Sequence, residues 1–113
     1  MSNLIQKKCK PCEGGVEPLS IAQAEELRKQ TPEWQITQNP MKIERTFVFK
    51  NFAQALQFVN KGGQIAESED HHPDLNLHSY KKVTVTLWTH AIGGLSENDF
   101  IVAAKIDALS SMC

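Results

Sequence analysis

The run from Glu67 to Tyr80, ESEDHHPDLNLHSY, holds three of the chain's four histidines, and the fourth is His90. Imidazoles serve three purposes in such a setting. They ligate a metal, they move protons near neutral pH, or they sit in a solvated loop. A metal site would draw on His71, His72, His90 and a carboxylate, but adjacent side chains in extended chain point apart. That counts against His71 and His72 sharing one ion. Proton transfer uses the same imidazoles with no ion. Glu67 and His71 are four positions apart, so a helix running through both would let Glu67 orient His71. Pro73 would then end that helix with His71 and His72 at its C-terminal end, where the dipole favours a cation. No serine or cysteine stands in a nucleophile turn, and no glycine-rich phosphate loop is present. Residue type and spacing leave the three readings open.

Cys9 and Cys12 form CKPC, and Cys113 ends the chain. A structural zinc site needs a second such pair or two spaced histidines, and the sequence has neither. A redox pair, a zinc ligand pair and a plain terminal segment all remain readings of CKPC. Three cysteines without a secretory core fit free thiols in a reducing compartment.

The elements that must position the histidines follow from pattern. Residues 1–17 are polar, punctuated by CEGGVEP, and read as an irregular arm ahead of a domain over 18–113. Ser20 precedes the helix formers IAQAEELRKQ, which stop before Pro32. EWQIT is a short strand, and KIERTFVF alternates as a strand with one buried face. Asn51 caps a helix whose apolar stripe runs through Phe52, Ala55, Leu56, Val59, Gly63 and Ala66. Gly62-Gly63 predicts either a bend or a close backbone neighbour there. LNLHSY and KKVTVTLWTH form two more strands, the second ending at His90, where side chains commonly line a cleft. Ser96 and Asp99 open a final helix from Glu97 to about Met112. The order α-β-β-α-β-β-α predicts an α+β domain, a four-stranded antiparallel sheet with three helices on one face. One open face, together with the apolar stripe from Phe100 to Leu109, predicts self-association.

A chain of 113 residues with 41% hydrophobic and 22% charged content can bury a core without disulfides. A formal net charge of −1 gives no electrostatic case for direct nucleic-acid or anionic-membrane binding. No apolar run approaches the roughly twenty residues of a membrane span. The default is a cytoplasmic protein, with the nucleus as an alternative.

Glu67, His71-His72-Pro73, Tyr80, His90 and Asp99, at these spacings, resemble the signature of the pterin-4a-carbinolamine dehydratase family. TPEWQI, RTFVFKNFAQALQFVNKGGQIAE and VTVTLWTHAIGGLSENDFIVAAKID resemble the family as well, so the likeness covers about residues 18–111. The CKPC arm lies outside it. The resemblance implies dehydration of 4a-hydroxytetrahydrobiopterin to quinonoid dihydrobiopterin, which recycles the cofactor of aromatic amino acid hydroxylases. It implies His71 and His90 as an acid–base pair and His72 as mainly a substrate-binding group. It implies Glu67 as orienting His71 or binding the pterin's amino edge. Asp70 and Asp99 would give polar support, and Trp88 and Thr89 would line the pocket. No cofactor or metal is implied. A homodimer or homotetramer is, and so is an alternative role as a dimerisation or coactivator module for a transcription factor.

Overall fold

The computed structural model describes residues 4–9, 17–38 and 40–111, so Cys12 and Cys113 lie outside the described residues. Helix α1 spans Ile21–Arg28, strands β1 and β2 span Gln35–Thr37 and Lys42–Val48, and α2 spans Phe52–Glu69. Strands β3 and β4 span Asp74–His78 and Lys82–Leu87, and α3 spans Glu97–Ser111. The sheet is antiparallel in the order β1-β2-β4-β3. Ser20 closes a capping box with Gln23 at the start of α1. Asn51 caps α2 by accepting from the Gln54 N–H, while the Gln54 side chain accepts from Lys50 instead of Asn51.

Register explains which face is covered. Ile43, Arg45 and Phe47 of β2 stand opposite Leu87, Val85 and Val83 of β4. Leu75 and Leu77 of β3 meet Val85 and Val83 from the other side. This face joins Ala55 and Phe58 of α2 and the apolar residues of α3 in one cluster. The opposite face carries Glu44, Thr46, Thr84 and Thr86, tied by a Thr46–Thr84 hydroxyl pair at 2.8 Å and a Thr86 donation to Glu44 at 3.1 Å. Period-two alternation thus becomes an apolar side beneath the helices and a polar side in the open. Ser79 and Tyr80 both adopt left-handed backbone, φ 51° and 53°, so they make the hairpin turn and β3 ends at His78.

One expectation narrows and another changes. Phe100, Ile101, Val102, Ala103 and Ile106 are each 0–1% exposed and belong to the core, which leaves Ala104, Ala108 and Leu109 as the half-buried members of the predicted stripe. Gly62 and Gly63 lie inside an unbroken α2, and a Cβ at either would meet nothing within 4 Å. No backbone neighbour requires a glycine at either position. Gly62→Ala is therefore expected to stabilise the fold by about 1 kcal/mol, read from the urea midpoint at constant m.

The described part of the arm, residues 4–9, docks on the domain. Leu4–Gln6 forms a 3-10 turn with Leu4 buried against α3. Lys7 pairs with Glu97 at 2.8 Å, Lys8 Nζ donates to the Ser68 carbonyl at 2.9 Å, and the Cys9 N–H donates to Glu69 Oε1 at 2.8 Å. Glu69 Oε2 accepts from Lys105 at 2.6 Å, with Lys8 Nζ 3.7 Å away. Desolvation pushes the Glu69 carboxyl upward, but the Cys9 N–H and the Lys105 and Lys8 ammonium groups outweigh it and hold its pKa below the ordinary 4.5. Burial, then the Glu69 charge and hydrogen bond, push the Cys9 thiol up to about 12.

A carboxylate whose pKa is depressed by folding contributes stability above its unfolded value and loses it as pH falls through the folded one. Arm docking should therefore persist through pH 5 and weaken only in more acidic solution, beneath Glu69's ordinary value of 4.5. Heteronuclear NMR of the Leu4 to Cys9 amides across pH 7 to 2.5 checks this. Undocking already complete at pH 6 would assign the transition to another group.

Candidate functional site

The C-terminal end of α2 decides where the histidines go. Asp70 takes a left-handed conformation, φ 52°, and its N–H reaches the Ala66 and Glu67 carbonyls. The His71 N–H bonds Ala66 O at 3.1 Å, so the helix closes in a Schellman-type cap. Asp70 occupies the position glycine favours, and its short polar side chain tolerates left-handed backbone. The helix thus ends at Glu69, before either histidine, and not through His71 as the i, i+4 spacing suggests.

The partners change accordingly. Glu67 Oε1 pairs with His72 Nε2 at 2.6 Å, on the surface, with both side chains more than half exposed. Glu67 therefore orients His72, not His71. His71 turns inward, 9% exposed, with Nε2 2.6 Å from Oδ1 of the fully buried Asp99. Asp99 Oδ2 accepts from the Thr89 hydroxyl at 2.9 Å and the Ser96 N–H at 3.0 Å. A carboxylate can only accept, so opposite Asp99 it is His71 Nε2 that donates. Since the Thr89 proton is committed to Asp99, the 2.8 Å Ser96–Thr89 hydroxyl contact has Ser96 as donor. Asp99 is thus a helix-cap residue and the anchor of His71 at once. Thr89 is 3% exposed, and its hydroxyl faces Asp99.

Strand β4 stops at Leu87. Thr89 then bridges Gly94, closing a short loop in which His90–Ile92 makes one 3-10 turn and Gly93 has φ 65°. His90 consequently sits on that turn and not on the strand. A Cβ on Gly94 would fall 2.8 Å from Pro18 Cβ, so glycine keeps the loop base against the segment entering α1. The exposed His90 ring packs on Trp88 at 4.0 Å between centroids, tilted 51°, and Lys42 Nζ lies 4.7 Å from the same Trp88 ring. Ile43 pairs with Leu87, so the alternating pattern brings Lys42 near Trp88 across the strands, a neighbour invisible before the register is known.

The site therefore has three parts. His71, Asp99, Thr89 and Ser96 form a continuous hydrogen-bonded unit. His72 with Glu67 forms an exposed pair, and exposed His90 forms a trio with half-buried Trp88 and Lys42. Asp70 is exposed at the cap, and a groove along α2 lined by Asn60, Gly63, Gln64, Glu67 and Ser68 reaches the rim at Glu67. His78 bonds Ser79 and Thr84 at the hairpin end of the sheet. Among the described residues, no group of three or more His, Cys, Asp or Glu side chains converges as a metal site would need. A buried carboxylate fixing one imidazole nitrogen, with a second imidazole on the neighbouring loop, is an arrangement for holding and moving protons.

Residues 17–109 match the family model described as pterin 4 alpha carbinolamine dehydratase. A Nitrosomonas europaea protein with the provisional name pterin-4-alpha-carbinolamine dehydratase is 54% identical over 108 residues, 95% of this chain and 93% of the relative. A Halorhodospira halophila protein with the same provisional name is 50% identical over 109 residues, 96% of this chain and 99% of the relative. Among solved structures, the transcriptional coactivator/pterin dehydratase of Brucella melitensis superposes with a TM-score of 0.76 at 33% identity, covering 82% of this chain and 98% of its own. A pterin dehydratase-like RuBisCO assembly factor of the alpha-carboxysome gives 0.60 at 25% identity, covering 69% and 89%.

Proposed function

The chain belongs to the pterin 4 alpha carbinolamine dehydratase family, and from that premise we propose that it is a hydro-lyase removing water from 4a-hydroxytetrahydropterin. The C4a–O bond breaks with a proton delivered to the departing hydroxyl, N5 gives up its proton, and a C4a–N5 double bond forms as water leaves. The product is the quinonoid dihydropterin. The reaction consumes no electrons and needs one acid and one base. The observation that carries this reading is the buried Asp99 carboxylate 2.6 Å from His71 Nε2, which fixes the tautomer and leaves Nδ1 as the working atom.

On this reading His71 and His90 are the acid–base pair. A positioned acid or base is typically worth 10²–10⁴-fold. His72, held by Glu67 at the exposed rim, binds substrate. Trp88 offers a flat apolar surface to the pterin ring, and Asp70 adds a polar edge. A chemically generated 4a-hydroxytetrahydropterin mixed with the protein in a stopped-flow cell, with dehydration followed by absorbance, tests the proposal. A rate indistinguishable from the spontaneous one would refute it.

The proposal includes assembly with further copies of this chain. Phe52 and Leu56, 50% and 44% exposed, are one turn apart on α2, and the stripe continues into the groove at Gly63. Sedimentation velocity at micromolar concentration is expected to show a dimer or tetramer, and Leu56→Glu is expected to shift it toward single chains. A single-chain species for the unmodified protein would exclude this association. The same face carries the second reading, a partner-binding module. It is favoured if the protein assembles but does not accelerate dehydration.

A further inference from the structure

The arm that carries CKPC docks at the junction of the two helices that hold the His71–Asp99 pair. Its described residues touch both. Lys7 reaches Glu97 in the first turn of α3, and Cys9 Sγ lies 3.7 Å from the Asn98 carbonyl next to Asp99. Lys8 reaches the Ser68 carbonyl, and the Cys9 N–H reaches Glu69, both in the last turn of α2. Glu69 is 7% exposed and also holds Lys105 of α3 at 2.6 Å. His71 follows Glu69 by two residues, and Asp99 follows Glu97 by two.

We propose that Leu4–Cys9 is a positioning strap, joined through Glu69 and Glu97, that sets the His71 ring against the Asp99 carboxylate. The physical case rests on leverage. Asp99 is fixed to its own neighbourhood by Thr89 and Ser96, whereas His71 follows a left-handed cap and one backbone bond to Ala66. Relative movement of the two helix ends would fall on the 2.6 Å His71–Asp99 contact. A buried carboxylate carried by the last residue of α2 and bonded to the arm and to Lys105 of α3 opposes that movement. Among the described residues, the Glu69 carboxylate bonds Cys9, Lys8 and Lys105, none of them proposed to meet substrate. Its role would be positioning, and it needs no titration at working pH.

The kinetic half of the test rests on the dehydratase reading, while the other half does not. Full-length protein with ¹⁵N-labelled histidine gives the solvent-exchange rate of the His71 Nε2 proton by NMR. Limited trypsin cleavage after Lys7 reports release of the strap. In Glu69→Ala, cleavage and proton exchange are each expected to accelerate about tenfold, and kcat to fall about tenfold with KM within about twofold, as for a misplaced catalytic group. Glu69→Gln, whose amide oxygen still accepts from Cys9, should lie closer to the unmodified protein in all three. Deletion of residues 1–9 should reproduce Glu69→Ala. Where circular dichroism shows the deletion unfolded, Lys7→Ala combined with Glu69→Ala takes its place. Exchange and kcat within about twofold of the unmodified protein, with the strap cleaved or deleted, would overturn the proposal. Trypsin resistance unchanged in Glu69→Ala would overturn it too. If the unmodified protein fails to dehydrate the pterin, the functional reading falls, and proton exchange alone decides the strap.

Discussion

His71→Ala and His90→Ala are each expected to lower kcat by roughly 10²-fold or more, while His72→Ala acts mostly on KM. The split follows from where the three imidazoles lie. His71 is buried on Asp99, and His90 extends the loop whose base, Thr89, bonds the same carboxylate. His72 is out on the surface with Glu67, where an ion pair is worth about 0–1 kcal/mol and neither partner is preorganised by burial. A group that binds ground state and transition state alike changes KM and leaves kcat. The double variant His71→Ala/His90→Ala should cost less than the sum of the single losses, because in the proposed reaction the two act as one acid–base unit. Steady-state kinetics, with folding checked by circular dichroism, reads all four values. Near-unmodified kcat in both single variants would place the chemistry elsewhere.

Asp99→Ala should be costly twice over. The carboxylate is 0% exposed and accepts from His71, Thr89 and the Ser96 N–H. Truncation leaves those donors unsatisfied in a buried place, an expected loss of about 3 kcal/mol by chemical denaturation. Activity should fall at least as far as in His71→Ala, since the ring loses both its orientation and its tautomer. Asp99→Asn separates the two effects. The amide keeps the volume and one acceptor, so most stability should return, but its NH₂ must face either the His71 N–H or the Thr89 and Ser96 donors. We expect kcat to stay down by about 10²-fold. Recovery of activity along with stability in Asp99→Asn would show that the carboxylate serves the fold alone.

The order of elements was legible because each carries a strong local signal. The alternation in β2 and β4, the caps at Ser20 and Asn51 and the Asp99 half of the Ser96–Asp99 box appear in place. What could not be read was decided by backbone geometry and by distant contacts. The i, i+4 spacing of Glu67 and His71 assumes that the helix continues, whereas Asp70 ends it by turning left-handed, which reassigns Glu67 to His72. Asp99 reads as a cap because its local bond is visible, while its contact with His71 spans 28 residues. The docking of the arm was not legible because its partners, Glu69, Glu97 and Gln30, lie far along the chain. Local pattern cannot show a surface that two other helices create.

The elevated pKa of Cys9 has a practical consequence. Alkylating reagents attack the thiolate, and a thiol moved from 9.0 to about 12 offers about a thousandfold less of it at pH 8 than an ordinary cysteine. Modification of Cys9 should then proceed chiefly through moments when its segment has lifted away and the sulfur titrates normally. Under that condition the labelling rate is the intrinsic rate multiplied by the opened fraction, the same logic that makes amide exchange a measure of local unfolding. Peptide mapping after timed exposure to iodoacetamide would thus count rare excursions of this segment in unmodified protein. Cys9 is a natural footprinting gauge, its scale set by Glu69 and by burial.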